Sequence, residues 1–494
     1  MGDEISSHHF SDADYREYFD RLKDETQYLG RLFDDNKLSS LSQYCGLEQE
    51  AWILDEKYYP APENRFLLES LNNDLLSPEL AQFNIELNVT PQVLSGAGLS
   101  HIQSELESLW DLCDKKLHEK NLHMEMIGIL PTIRDDELVV ANMSAMRRYR
   151  ALNDQVLKSR GGKPLSLNIV GSESLKSEHA DVMLESAATS LQLHRQIDAS
   201  SSARYYNAAI LVSAITVAIS ANAPFLFGKQ LWEETRIPLF EQAVEVGGYG
   251  NAQTGPVKRV SFGSGYAKRS IFECYSENLA HYPVLLPVKM DTPLGCLAYL
   301  RMHNGTIWRW NRPIVGFDDD GTTHLRIEHR VMAAGPTIID EMANAAFFYG
   351  LQEYYATTEV ATESIVPFSS SKDNFYTAAR HGITTQIDWP DLKQQSIKQH
   401  SIQALIKSQL LSHASQGLSA LGINQSDIDR YLSIIKARAD SGQTGSVWQK
   451  QYVEKNNASM RELIKAYRQN RLTGNPVHTW PLSPLSSRSK EETK

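Results

Sequence analysis

Cysteine is scarce in this 494-residue chain and never paired by spacing: Cys45, Cys113, Cys274 and Cys296 stand far apart, with no Cys-x-x-Cys. That excludes a disulfide framework and a zinc site built on cysteine pairs. It suits a reducing cytosol, so a cytoplasmic protein is expected. Positive charge is also in deficit. Lys and Arg total 49 against 60 Asp and Glu, for a formal net charge of -11, which argues against a nucleic-acid binder. No Gly-x-x-x-x-Gly-Lys and no Gly-x-Gly-x-x-Gly occurs. Any nucleotide must therefore be held by metal, arginine and strand groups rather than by a glycine-rich loop. Met1-Gly2-Asp3-Glu4-Ile5 is acidic and polar, unlike a secretory signal. The one long apolar run, Ala208 to Phe227, is broken by Ser213, Thr216, Ser220, Asn222 and Pro224. It reads as a buried helix rather than a membrane span.

What is present is 41% hydrophobic and 22% charged, the make-up of an ordinary globule with a large core. Its distinctive feature is a set of strands with one polar face. In His324-Leu325-Arg326-Ile327-Glu328-His329-Arg330, residues Arg326, Glu328 and Arg330 fall on one side and Leu325 and Ile327 on the other. Cys45 to Leu54 aligns Glu48 and Glu50, Phe83 to Pro91 aligns Asn84, Glu86 and Asn88, and Ser190 to His194 aligns Ser190, Gln192 and His194. Ionised groups are costly to bury without partners. One sheet whose concave polar face gathers these groups around metal and phosphate accounts for all four strands.

Along the chain, the spacing predicts a charged amphipathic helix over Asp12–Phe33 and a helix over Ser100–Lys120, whose stripe is Ile102, Leu106, Leu109, Trp110, Cys113 and Leu117. Met124–Leu130 and Gly305–Pro313 read as strands, Glu185–His194 as the third polar-faced strand, and Met146–Arg150 as a turn or helix start. Tyr205–Ser220 is the buried helix. Residues 243–270 read as an irregular loop over the site. Thr337 and Asp340 suggest a capping box before a helix over Ile338–Leu351. The chain reads as helical from Asp391 to about Asn456, and residues 474–494 as disordered.

Glu48, Glu50, Glu86 and Glu328 are metal candidates. Gathered carboxylates repel and raise one another's pKa unless a cation compensates, and oxygen ligands suit magnesium. Gln192 and His194 are candidates for metal or nucleotide. A nitrogen ligand would favour Mn2+, and a hydrogen bond to phosphate is the competing role for His194. Arg330, Arg148 and Arg312 are anion candidates, because a guanidinium fork matches carboxylate and phosphate.

The order of these motifs resembles the glutamate–cysteine ligase type 2 family of carboxylate–amine ligases. Gly46-Leu47-Glu48-Gln49-Glu50 looks like its opening strand, and Glu79 and Glu86 with Thr90-Pro91 like its second acidic strand. Arg148-Tyr149 is similar to its Arg-Tyr, and Leu191-Gln192-Leu193-His194 to its His-Val-His strand, with glutamine at the first histidine. Ser220 to Phe225, Glu328-His329-Arg330 with Gly335-Pro336-Thr337, Ala379 to Gly382 and Thr444 to Gln449 resemble its remaining signatures. The resemblance implies an α+β, glutamine synthetase/guanido kinase-like fold. In it a curved, mostly antiparallel sheet forms an open half-barrel with helices on its outer face. The implied layout is an N-terminal extension over 1–37, a ligase domain over 38–460 whose 391–456 part is helical, and the tail over 474–494. The implied reaction joins a side-chain carboxylate, in the family usually the γ-carboxylate of L-glutamate, to an amine through an acyl phosphate made from ATP. L-cysteine is the amine that would make it a glutamate–cysteine ligase, the first step towards glutathione. Ligation to another amine and an inactive nucleotide-binding relative are the alternatives, and a homo-oligomer is left open. Glu48, Glu50, Glu86 and Glu328 would hold Mg2+, with Glu79 and His194 as further ligands. Arg330 would neutralise the transferring phosphate with help from Arg148. Gln192, His194 and Arg312 would complete the nucleotide site.

Overall fold

Eight strands form the central sheet of the computed structural model, which describes residues 5, 9–41, 44–246 and 258–484. They are β1 (Tyr44–Leu54), β2 (Leu76–Pro78), β3 (Asn84–Asn88), β4 (Gln92–Val93), β5 (His123–Glu125), β6 (Ser190–Ile197), β7 (Asn311–Phe317) and β8 (Thr323–Ala333). The order is β7-β8-β6-β1-β3-β2, with β4 and β5 pairing to the two ends of β1, and every pairing is antiparallel. The sheet curls into an open half-barrel.

Register follows from the alternation. Glu50 lies opposite Glu86, Glu48 opposite Gln192, and Glu328 between His194 on β6 and Arg312 on β7. A slip of one residue would turn the apolar set to the cavity, so the two faces lock the pairing. Leu47, Ile85, Leu87, Leu191, Leu193, Leu325 and Ile327 point to the other face and join the main core.

α1 (Asp12–Asp34) packs on the helices Phe272–His281 and Ala298–Gly305, while the outer face is covered by helices of which α2 (Gly98–His118), α3 (Ser202–Ile219), α4 (Ile338–Thr357) and α5 (Gln425–Ser441) are the longest. Ser11 and Asp14 form a reciprocal capping box at the start of α1. The apolar run becomes α3, and α3 is the one helix among the described residues apolar enough to cross a membrane; 89% of that stretch is buried inside the protein. Tyr349 of α4 donates to the carbonyls of Gly46 and His194 at 3.1 and 3.0 Å, tying helix to sheet. His329, between Glu328 and Arg330, points to this side. It stacks on Phe348 with ring centroids 3.9 Å apart and lies within hydrogen-bond distance of Thr216 and Asn311.

Thr337 caps α4 as expected, accepting from the Asp340 amide at 3.2 Å. The Asp340 carboxylate accepts from the Thr337 hydroxyl at 2.8 Å and not from its amide, so the box is not reciprocal, and Asp340 has further partners. It is fully buried, pairs with Arg438 of α5 at 2.7 Å and accepts from the Val477 amide at 2.9 Å. Asp340→Ala is therefore expected to destabilise the protein by about 3–5 kcal/mol, the usual cost of stranding a buried charge. Urea unfolding of the variant beside wild type measures it.

Several expectations are corrected here. Glu185 is not on a strand: Val182–Ala187 is a 3-10 turn and β6 begins at Ser190. Met124–Leu130 is strand only to Glu125. Gly305–Pro313 is divided between the end of a helix, a two-residue strand at Trp308–Arg309 and the start of β7. The region after Asp391 opens with a β-hairpin, Gln386–Asp391 with Ser396–Ser401, before the helices. A further hairpin, Leu165–Val170 with Ser174–His179, adds to the expected elements. Within the expected loop, residues 247–257 lie outside the described residues, and Val260–Ser261 form a short strand. Residues 474–484 of the expected disordered tail fold back instead. Val477 is buried, and Trp480 meets Trp448 and Tyr467 edge-on at 5.1 Å. Residues 485–494 lie outside the described residues, as do 1–4 and 6–8 of the N-terminal segment.

Candidate active site

The polar face of the sheet lines a cavity of about 320 Å³. β1 contributes Glu48 and Glu50, the segment after β2 contributes Glu79, β6 contributes Gln192, β7 Arg312, and β8 Arg326 and Arg330. Arg148 enters from the first turn of the helix Arg147–Ser159. The gathered carboxylates fall into two groups. Glu48, His194 and Glu328 offer ligand atoms within 4.8 Å of one another, and Glu50, Glu79 and Glu86 do the same. Strand geometry explains the split. Same-face neighbours such as Glu48 and Glu50 are two residues apart, roughly 7 Å along the strand, too far to share one small cation.

In the first cluster, Glu328 is fully buried and Arg312 forks onto its carboxylate at 2.6 and 2.9 Å, with Arg330 at 3.6 Å. Burial pushes Glu328 up, but Arg312 and Arg330 outweigh it and hold the carboxyl below its ordinary value. Glu48 lies 3.1 Å from His194 Nε2. Burial opposes its charge, yet His194 and then Arg312 bring it below its ordinary value.

The second cluster is strained in the opposite sense. Glu50 accepts from the Ser190 amide at 2.7 Å, the Ser190 hydroxyl at 3.0 Å and the Gln192 side-chain amide at 2.8 Å. Glu86 accepts from Asn88 at 3.0 Å. Burial, then repulsion from Glu50 and Glu185, pushes Glu79 well above the carboxylate range. Burial, then Glu48 and Glu79, does the same to Glu86. One oxygen each of Glu79 and Glu86 is buried without a hydrogen-bond partner. Orphaned acid oxygens facing one another are what a divalent cation would satisfy, so the residues fit such an ion. The all-oxygen cluster suits Mg2+, and the His194 cluster accommodates Mn2+ as well.

Arg148 lies over the Tyr149 ring, 4.7 Å from its centroid, and donates to the Tyr149 hydroxyl, which donates on to the Pro78 carbonyl. Arg330 lies over Phe240 at 5.5 Å. Three parts of the cavity go beyond the candidates read from sequence. Arg326 stands on the polar face that the alternation marks, but no motif singles it out. Glu185 reaches the cavity from the 3-10 turn, where burial and then Glu50 push its carboxyl up to about 7. The apolar wall of Leu286, Met290, Met302, Ile314 and Val315 comes largely from residues 283–305, which carry no periodic signal.

The remaining motifs stand outside the cavity lining and bind one another. Asn222 donates to the Ala334 carbonyl at 2.7 Å and receives the Gln449 amide at 2.8 Å, while the Ser446 amide donates to the Ala221 carbonyl at 2.8 Å. Ala379 accepts from the Glu234 amide at 2.9 Å. At Gly382 a Cβ would lie 2.9 Å from the Glu233 side chain, so glycine permits the close approach.

Comparison with known proteins agrees with this architecture. The glutamate–cysteine ligase from Francisella tularensis, solved in complex with AMP, superposes with a TM-score of 0.54 at 11% identity, covering 90% of this chain and 91% of that one. A bifunctional glutathione synthetase from Pasteurella multocida gives a TM-score of 0.52 at 11% identity, over 91% of this chain and 53% of that one. No curated protein matches the sequence. The model of glutamate-cysteine ligase family 2 matches residues 44–469, a span that begins at β1 and takes in both acidic clusters, and on that match the chain belongs to this family of carboxylate–amine ligases.

Proposed function

We propose that the protein is an ATP-dependent ligase that joins the γ-carboxylate of L-glutamate to an amine, with L-cysteine as the first candidate acceptor, in the cytosol. The observation that carries this reading is the pair of acidic clusters side by side on one sheet face, flanked by arginines. Glu48, His194 and Glu328 would hold one divalent cation and Glu50, Glu79 and Glu86 another. Bound cations would supply charge neutralisation at the phosphates. Arg330 and Arg312 bring guanidinium groups to the first cluster, where phosphate charge would gather, and Arg148, whose charge acts on Glu79 of the second cluster, would orient substrate. Phosphoryl transfer is mostly positioning and electrostatics, so no enzyme nucleophile is required. ATP would phosphorylate the carboxylate, and the amine would displace phosphate from the acyl carbon.

Gln192 supports a second reading. Its amide already satisfies Glu50, which favours a changed acceptor, or a nucleotide-binding relative without ligase activity. A screen of amines with ATP, Mg2+ and L-glutamate, read by mass spectrometry, separates these. A ligase should release phosphate only when acid and amine are both present in quantity, with slow release from acid alone. With 18O in the glutamate carboxylate, label should appear in the phosphate. Label confined to amide and unreacted acid would rule out the acyl-phosphate route.

A further inference from the structure

Glu185 is the one acidic group of the cavity lining that belongs to neither metal-capable cluster. Its placement is closely determined. Asp181 caps the turn by accepting from the Met183 amide at 3.0 Å, and Asn153 accepts from the Val182 amide at 3.1 Å. The Ser186 hydroxyl donates back to the Met183 carbonyl at 2.6 Å. Val182, Met183, Leu184, Ser186 and Ala187 are all buried. The turn is thus fastened on every side and presents one side chain to the cavity. Among the described residues that carboxylate makes no hydrogen bond and no close ion pair; Glu50 repels it and Arg330 attracts it from farther off. The helix Arg236–Ala243 packs on the turn, and Phe240 and Val244 bring an apolar wall to the same cavity.

A half-buried carboxylate that no protein group contacts directly is stabilised further when a cationic ligand arrives. Divalent ions have six other ligands gathered into two groups that exclude Glu185. The other cations that a ligase of this kind admits are the ammonium groups of its two substrates, L-glutamate and the acceptor. We infer that Glu185 binds the ammonium group of an amino-acid substrate, the acceptor or L-glutamate, whose carbon chain can lie along the Phe240 and Val244 wall. The inference rests on the ligase reading above.

The test compares two acceptors at neutral pH, L-cysteine, which carries an ammonium group, and hydroxylamine, which is neutral. KM and kcat are measured for wild type, Glu185→Gln and Glu185→Asp. Glu185→Gln should raise KM for the amino acid whose ammonium it binds, L-cysteine or L-glutamate, by about tenfold or more, the size expected when a charged hydrogen-bond partner is lost. KM for hydroxylamine should stay within about threefold, and Glu185→Asp should recover part of the loss because the charge is kept. An unchanged KM for both L-cysteine and L-glutamate, or failure of Asp to recover any of the loss, would overturn the inference alone. So would a fall in the number of Mn2+ ions bound by Glu185→Gln, followed by the electron paramagnetic resonance of free Mn2+, since Glu185 would then be a metal ligand. Absence of product from wild type with either acceptor would overturn the ligase reading and this inference with it.

Discussion

ATP turnover is expected to fall by about 10³-fold or more in Glu328→Gln, at the upper end of what loss of one fixed electrostatic group costs an active site. The carboxylate is fully buried, serves the Glu48–His194–Glu328 cluster and receives the Arg312 fork. Glutamine preserves the volume and can still accept from Arg312, but it removes the charge that would attract a cation. Arg312 then loses a buried counter-ion, so some stability will be lost too. Glu48→Gln controls for this. It removes charge from the same cluster while leaving the Arg312–Glu328 pair in place. Both variants should lose turnover at limiting Mg2+, whereas their near-ultraviolet circular dichroism should match that of wild type. Undiminished turnover by either would remove the cluster from the chemistry.

Arg330→Lys is the second large effect, with kcat expected to drop on the order of 10²-fold while KM changes little. Arg330 projects from β8 two residues beyond Glu328, on the same face, and lies over the Phe240 ring. Lysine keeps the positive charge but loses the planar fork and the flat face that rests on phenylalanine. An interaction strongest when phosphate charge is being transferred acts on kcat. A change confined to KM would instead make Arg330 a substrate-binding residue.

The alternation in Arg326-Ile327-Glu328 and in Leu47-Glu48-Gln49-Glu50 is enough by itself to assign inner and outer faces. The reason is physical: strand side chains alternate strictly, and charged groups cannot be turned into an apolar core without partners. The same rule places Leu193 and Ile85 against the helices, where they are found. Where alternation is absent, legibility stops. Glu185 sits in a 3-10 turn whose neighbours are buried for packing, so its exposure to the cavity follows from that turn's anchors, Asn153 and Asp181, which are remote from any motif. The wall of Leu286, Met290 and Met302 is likewise an arrangement of irregular chain.

Local sequence by itself determined which residues form the polar faces, and which run is too interrupted and too thoroughly apolar to be anything but a core helix. These are properties of neighbours within a few residues, set by side-chain periodicity and by the cost of burying charge. Only the tertiary structure decided that the carboxylates divide into two clusters, because that depends on which strands are adjacent and in what register. It also decided that Asn222, Ala334, Ser446 and Gln449 form a structural bracket rather than a binding surface. Hydrogen-bond partners that lie up to 227 residues apart in sequence leave no trace in local spacing.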